Sequence, residues 1–182
     1  MARLYLVRHG KAAAGWDADP DPGLYATGLA QAEAMAAALA PKGPLPLVTS
    51  PLRRTRETAA PLERLWRVSA RIEPDVAEIP SPTADLAQRS EWLRAVMRQS
   101  WSEQEPWLAA WRAKVLATLA AIETDTVVVS HFIAINVAVG RAMGDDRAIV
   151  FRPENASCTV LDVTDGMFRL VELGTEGASR IL

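Results

Sequence analysis

Cysteine and histidine are the scarcest of the chemistry-bearing residues in this chain of 182: one cysteine, Cys158, and two histidines, His9 and His131. A single cysteine excludes an intramolecular disulfide framework and fits a reducing compartment. Zinc sites use closely spaced ligand pairs. Here the two histidines stand 122 positions apart with Cys158 isolated, so no metal site is expected. No apolar run approaches the ~18 residues of a membrane span, and the longest, around Phe132–Val139, contains Asn136. Met1–Val7 lacks the separate apolar core and small-residue cleavage site of a signal peptide, so a soluble cytoplasmic protein is expected. Charge of one sign is missing too. Twenty Lys and Arg against 22 Asp and Glu leave a net charge of −2, which argues against a nucleic-acid or polybasic membrane binder.

What is present is the composition of a globule, 49% hydrophobic and 23% charged. The pattern alternates strands with helices. Arg3–Val7 reads as a buried strand, and residues 15–23, with three Asp and two Pro, read as a loop. Thr27 is placed to cap an Ala-rich helix over Gly28–Ala40, closed by Pro41 and Gly43. Leu45–Thr49 follows as a strand, then a helix over Leu52–Val68 that Pro61 should kink or divide. Residues 74–83 form a loop carrying Pro74, Pro80 and Pro82 with Asp75 and Glu78. Leu86–Ser100 and Pro106–Ile122 are amphipathic helices, the second with its proline in the first turn. Thr126–Ser130 is a β-branched buried strand before a helix over Phe132–Met143. Cys158–Val163 and Met167–Leu173 flank Asp165-Gly166, a pair suited to a two-residue hairpin turn. The expected fold is a three-layer α/β/α domain over 1–182 with a mainly parallel sheet and a helical lid insertion at 84–122.

In such sheets ligands gather at the carboxyl ends of the strands. His9 follows the first strand and His131 the strand at 126–130. A lone histidine is more often a structural residue, but both histidines at matching strand ends argue for a shared site. Arg8 beside His9 disfavours a divalent cation and favours an anion, which a guanidinium grips with paired hydrogen bonds. A second cationic group, Arg53, Arg54 and Arg56, follows the strand ending at Thr49, and Ser50 at that junction could cap the helix. A solvated helix face is the plain alternative for these three arginines.

Leu6-Val7-Arg8-His9-Gly10 resembles the RHG signature of the histidine phosphatase superfamily, the phosphoglycerate-mutase-like proteins. Residues 50–59 (SPLRRTRETA) are similar to its S-x-L-x-R-[AT]-x-x-T segment, and Val128–His131 to its second histidine motif. Leu24–Gly28 with Gln31 and Ala32 is similar to L-T-x-x-G-x-x-Q-A, with Tyr25 for the first Thr. Asn155-Ala156-Ser157 resembles the loop before the late strand. The resemblance implies that His9 is a nucleophile forming a phosphohistidine. It implies further that Arg8, Arg54 and His131 surround the phosphoryl oxygens, and that Glu78 protonates the leaving oxygen, with Asp75 as the fallback acid. No cofactor is implied. The partner would be a small phosphorylated substrate or a phosphoprotein, and the oligomeric state stays open.

Departures narrow the expectation. Ala12 and Gly15 stand where mutase-type members have a hydroxyl and an asparagine, and Ile79-Pro80-Ser81-Pro82 replaces a Gly-Trp-Glu-Gly-like segment. Phe132 stands where many relatives have Gly, which should make the pocket bulkier. These changes disfavour mutase activity. The Arg-His-Gly-Lys-Ala opening is closer to small bacterial phosphohistidine phosphatases, although 84–122 is longer than those proteins carry. The expected activity is hydrolysis of a small phosphomonoester or phosphoryl-protein bond. The alternatives are a phosphoglycerate-mutase-like phosphotransferase or a non-catalytic phosphate- or phosphoprotein-binding member. Four of the six tryptophans, Trp92, Trp101, Trp107 and Trp111, fall in 84–122. Spacing at 107 and 111 favours helix packing over an aromatic cap on the site.

Overall fold

Strand β1 (Ala2–Arg8) lies inside a six-stranded sheet because its neighbours come from the far end of the chain. The computed structural model describes residues 1–15 and 18–177; Trp16 and Asp17 of the expected 15–23 loop, and residues 178–182, lie outside the described residues. The remaining strands are β2 (Leu47–Thr49), β3 (Arg71–Ile72), β4 (Thr126–Ser130), β5 (Cys158–Thr164) and β6 (Met167–Glu172), in the order β3-β2-β4-β1-β5-β6. β1, β2, β3 and β4 run parallel, and β5 and β6 add an antiparallel hairpin. The sheet is therefore mixed and mostly parallel.

Side-chain alternation divides the core between the two faces. Leu4 and Leu6 of β1, Val128 of β4 and Leu161 of β5 face one layer, while Tyr5, Val7, Val127, Val129 and Val160 face the other. Helices α1 (Ala26–Leu39) and α2 (Arg53–Trp66) cover the second face through Met35, Ala36, Leu39, Ala59 and Leu62. Helices α3 (Leu86–Val96), α4 (Pro106–Ala120) and α5 (Phe132–Met143) supply the first, through Leu93, Val115, Leu119 and the apolar length of α5. Each Leu or Val buried this way is worth about 1.5–3 kcal/mol. The result is the three-layer α/β/α arrangement expected.

Several local expectations shift. α1 begins at Ala26 after Tyr25, with no side-chain cap, and Thr27 is exposed. The Tyr25 amide instead donates to the Lys11 carbonyl at 2.9 Å, so a backbone tie sets the helix entry. Pro61 sits buried inside α2 without dividing it. One missing amide is outweighed by packing of Ala59 and Leu62 on the same helix. β2 starts at Leu47 because Pro46 has no amide for the ladder, and β3 is too short to leave a pattern. α3 ends at Val96, short of Ser100, which instead opens a 3₁₀ turn at 101–103 with a Ser100–Glu103 capping box. The Asp165-Gly166 turn forms as expected, with φ of 50° and 76°.

Segment 84–122 is built into the α5 layer. Leu93, Val96, Trp101, Leu108, Val115 and Leu119 are buried in the same core as α5. Trp92 stacks on Trp107 with centroids 6.0 Å apart, and Trp101 meets Trp111 at 5.9 Å. The tryptophans join the α3–α4 region to itself. They are packing residues. Among the described residues, no helix is long and apolar enough to cross a membrane.

Candidate active site

Three parallel neighbours, β2, β4 and β1, end at one edge of the sheet. In register Thr49 faces Val129 and Val129 faces Val7, so the residues just beyond them converge. Those residues are Ser50, His131 after Ser130, and Arg8 with His9. The backbone locks the convergence: the His9 amide donates to the Ser130 carbonyl at 3.0 Å and the Ser50 amide to Val129 at 3.2 Å. The two imidazole centroids stand 5.3 Å apart at 60°.

His9 is buried, and its Nδ1 lies 2.7 Å from the Gly10 carbonyl oxygen. A carbonyl only accepts, so Nδ1 carries the hydrogen and Nε2 keeps its lone pair. The Arg54 Nε–H donates to that Nε2 at 3.3 Å, consistent with the same tautomer. Burial first, then the charges of Arg54 and Arg8, hold the His9 ring well below the usual imidazole pKa, against the bond to Gly10. Gly10 is required by a close approach: a Cβ there would lie 2.5 Å from the Gly28 carbonyl oxygen. Its amide donates to Thr58 Oγ1 at 2.9 Å, and Thr58 in turn donates to the Arg54 carbonyl at 2.7 Å. Asn155 Nδ2 reaches the His9 carbonyl at 3.1 Å, and the Lys11 amide donates to Gln31 Oε1 at 2.8 Å.

Two buried guanidiniums frame the rings. Arg8 Nη1 donates to the Pro153 carbonyl at 2.8 Å, and the Arg8 guanidinium lies 5.1 Å over the Phe132 ring. Burial pushes Arg8 down to about 10, with Glu78 and Glu154 opposing. Arg54 Nη2 lies 3.2 Å from His131 Nδ1, while its Nη1 is buried without a hydrogen bond, 4.0 Å from Asp21 Oδ1. Burial also lowers Arg54, and Arg89 of α3 acts on it as a like charge. The three-arginine run thus splits: Arg53 and Arg56 point outward, Arg53 pairing with Glu57 at 2.7 Å, and only Arg54 reaches the histidines. Phe132 is 1% exposed and lies under Arg8, so its bulk sits beneath the pocket.

His131 is fully buried, its Nε2 2.7 Å from Ser50 Oγ. Burial, then Arg54, His9 and Arg8, hold its pKa well below the ordinary value. Glu78 is 8% exposed, and both its oxygens lie 3.2 Å from the Ile133 amide in the first turn of α5, with Oε1 also 3.1 Å from the Ile79 amide. Burial raises the Glu78 carboxyl above the usual range. The Ile79 and Ile133 amides, then Arg54 and Arg8, pull the other way. Ser130 Oγ donates to the Val76 carbonyl at 2.7 Å, tying the 3₁₀ turn at 74–76 to the end of β4. Asp75 is half-buried in that turn, its amide donating to Glu73. The structure thus brings Arg8, His9, Arg54, Glu78 and His131 together.

Sequence reasoning missed four contributors. Ser50 caps nothing, since α2 begins after Leu52; it holds His131 instead. Thr55 and Thr58 stood in the quoted motif without a role, though hydroxyls one and four positions after Arg54 are a usable signal. Asp21 had no signal beyond a loop rich in acids. Cys158 is pushed up to about 12, chiefly by burial, and packs in the α1–α2 core. Among the described residues, no group of three or more His, Cys, Asp or Glu could hold a metal ion.

Comparison with known proteins agrees with this geometry. The model of the histidine phosphatase superfamily (branch 1) matches residues 4–176. Among solved structures, mycobacterial hydrolase 1 superposes with a TM-score of 0.75 at 23% identity, covering 97% of this chain and 99% of that one. A mycobacterial glucosyl-3-phosphoglycerate phosphatase in complex with inorganic phosphate gives 0.71 at 22% identity, covering 97% and 98%. TTHB049 from Thermus thermophilus gives 0.61 at 26%, covering 94% and 98%. Curated relatives match in part: the Mycobacterium tuberculosis PE-PGRS family protein PE_PGRS11 is 47% identical over 80 residues, 41% of this chain and 14% of that protein. Protein Rv0525 of the same organism is 38% identical over 80 residues, 42% of this chain and 40% of its own length.

Proposed function

Because the chain belongs to the histidine phosphatase superfamily, branch 1, we propose that it is a phosphatase hydrolysing a small phosphomonoester or a phosphoprotein through a phosphohistidine on His9. The observation that carries the reading is the His9 ring itself. Its Nδ1–H is fixed on Gly10, and its bare Nε2 faces Arg54. The nucleophilic nitrogen needs no deprotonation at neutral pH, because burial and two guanidiniums keep the ring neutral.

In the first step the His9 Nε2 lone pair attacks phosphorus, the N–P bond forms and the ester P–O bond breaks. Glu78, whose burial favours the protonated carboxyl, gives its proton to the departing oxygen. Arg8 and Arg54 meet the charge on the equatorial oxygens, and the unbonded Arg54 Nη1 offers them a free donor. In the second step the Glu78 carboxylate takes a proton from water as its oxygen attacks phosphorus, the N–P bond breaks and phosphate leaves. In this reading 1–182 is one domain, and 84–122 borders the site through Arg89 of α3.

The solved neighbour with bound inorganic phosphate supports a phosphorylated substrate in a fold of this kind. Turnover of p-nitrophenyl phosphate tests the proposal. His9→Ala is expected to abolish it, and quenching during turnover should trap an acid-labile, base-stable phosphoryl label on the wild type. Undiminished turnover by His9→Ala would sink the mechanism.

A further inference from the structure

The hydroxyls around His131 form a buried hydrogen-bond chain that fixes where the imidazole hydrogen sits. Arg54 Nη2 lies 3.2 Å from His131 Nδ1, and a guanidinium only donates, so Nδ1 is a bare acceptor. The neutral ring must then carry its hydrogen on Nε2, 2.7 Å from Ser50 Oγ, which therefore accepts. Ser50 Oγ also receives the Leu52 amide at 3.2 Å. Its own hydrogen goes to Thr55 Oγ1 at 2.8 Å, and Thr55 donates to the Leu52 carbonyl at 2.7 Å. Ser50 and Thr55 are completely buried, so no solvent competes for these bonds.

We propose that Ser50, backed by Thr55, is a positioning residue that keeps the His131 hydrogen on Nε2 and turns bare Nδ1 toward the phosphoryl site. It follows that His131 donates to a phosphoryl oxygen only after taking a proton at Nδ1. This rests on the phosphatase reading above for what the site binds. The proton has a source that needs no further reactant: a phosphate monoester with a second pKa near about 6 enters partly as the monoanion. Its O–H bond breaks as the Nδ1–H bond forms, leaving a dianion beside an imidazolium. The groups facing His131 set the direction. Arg8 and His9 at the end of β1 and Arg54 of α2 oppose its charging in the empty site, while Glu78, after the 74–76 turn, opposes Arg8 and Arg54. An entering anion reverses that balance. Ser50 Oγ, an acceptor for Nε2–H, supports the imidazolium as well as the neutral ring.

Long-range ¹H–¹⁵N spectra of labelled protein test the assignment, since the chain contributes only two imidazoles. Without ligand, His131, identified by its loss in His131→Ala, is expected as the Nε2–H tautomer and His9 as Nδ1–H. Adding inorganic phosphate at about pH 7.5, where part of it is still the monoanion, is expected to convert His131 to the imidazolium. Ser50→Ala is expected to lose that conversion and about 10–100-fold in kcat, and Ser50→Thr to restore both. A free-state hydrogen on His131 Nδ1 would overturn the proposal, as would Ser50→Ala charging like wild type. Should Ser50→Ala not fold, the wild-type and Ser50→Thr spectra decide. If these spectra come out as expected but wild type hydrolyses no phosphomonoester, the functional reading fails and the positioning role stands.

Discussion

Stability should depend on pH in a way that two buried rings dictate. His9 and His131 are the only histidines in the chain, and both are kept neutral in the fold, first by burial and then by Arg54. In the unfolded chain both titrate near the ordinary 6.5. As pH falls through that value, the unfolded chain takes up two protons that the fold refuses. Stability present above 6.5 is therefore lost below it. One refused proton per ring gives about 1.4 kcal/mol per pH unit below the unfolded value, so between pH 7.5 and 5.5 the pair should cost on the order of 3 kcal/mol. Against a typical total of about 5–15 kcal/mol that is a large share. Glu78 has the opposite sign: its folded pKa is raised, so its contribution improves as pH falls through its folded value toward the unfolded 4.5. Glu78→Gln removes that counter-trend and isolates the rings. Urea unfolding of Glu78→Gln in phosphate-free buffer should show the full drop, and adding His131→Ala should about halve it. A flat profile from pH 7.5 to 5.5 would refute the placement of two neutral, buried imidazoles.

The same Glu78→Gln variant should be more stable than wild type at neutral pH, where the native carboxyl is buried against its preference, and indistinguishable near pH 4; thermal melts at the two pH values check this. In turnover it should slow alkyl phosphates by about 10²–10⁴-fold while sparing p-nitrophenyl phosphate, whose leaving group needs little protonation. Ala156 adopts φ of 58° in the loop whose amide donates to the Arg8 carbonyl at 3.0 Å. Ala156→Gly should relieve that strain and stabilise by about 1 kcal/mol, seen as a melting rise of about 2–4 °C.

The alternation of continuous apolar strands with helices was enough to read the layers, and the junctions after Val7, Thr49 and Ser130 were enough to find the edge where side chains meet. Arg8, His9, Arg54 and His131 were legible because each sits in a short motif at such a junction. Glu78 was legible only as one of two acids in a proline-rich loop. What separates it from Asp75 is the Ile133 amide, supplied by an element 55 positions away. Ser50 was misread for the same reason: a hydroxyl at a helix start has a local partner by default. Here the decisive partner, His131, comes from the end of β4, and no local pattern reports it. Tertiary packing likewise overrode the breaker at Pro61.

The pairing of β1 has a consequence for how the molecule comes into being. Leu4 pairs with Thr126 and Val7 with Cys158, so β1 has no sheet neighbour until the segments that form β4 and β5 have been made. Such long-range pairings slow folding and leave apolar strands exposed while they wait. The chemistry inherits that schedule. His9 meets His131 only when β4 docks beside β1, and it gains Asn155 and the Pro153 anchor for Arg8 only as β5 closes the other side. The candidate site is thus a property of the finished sheet, and a partly folded chain holds its two imidazoles apart.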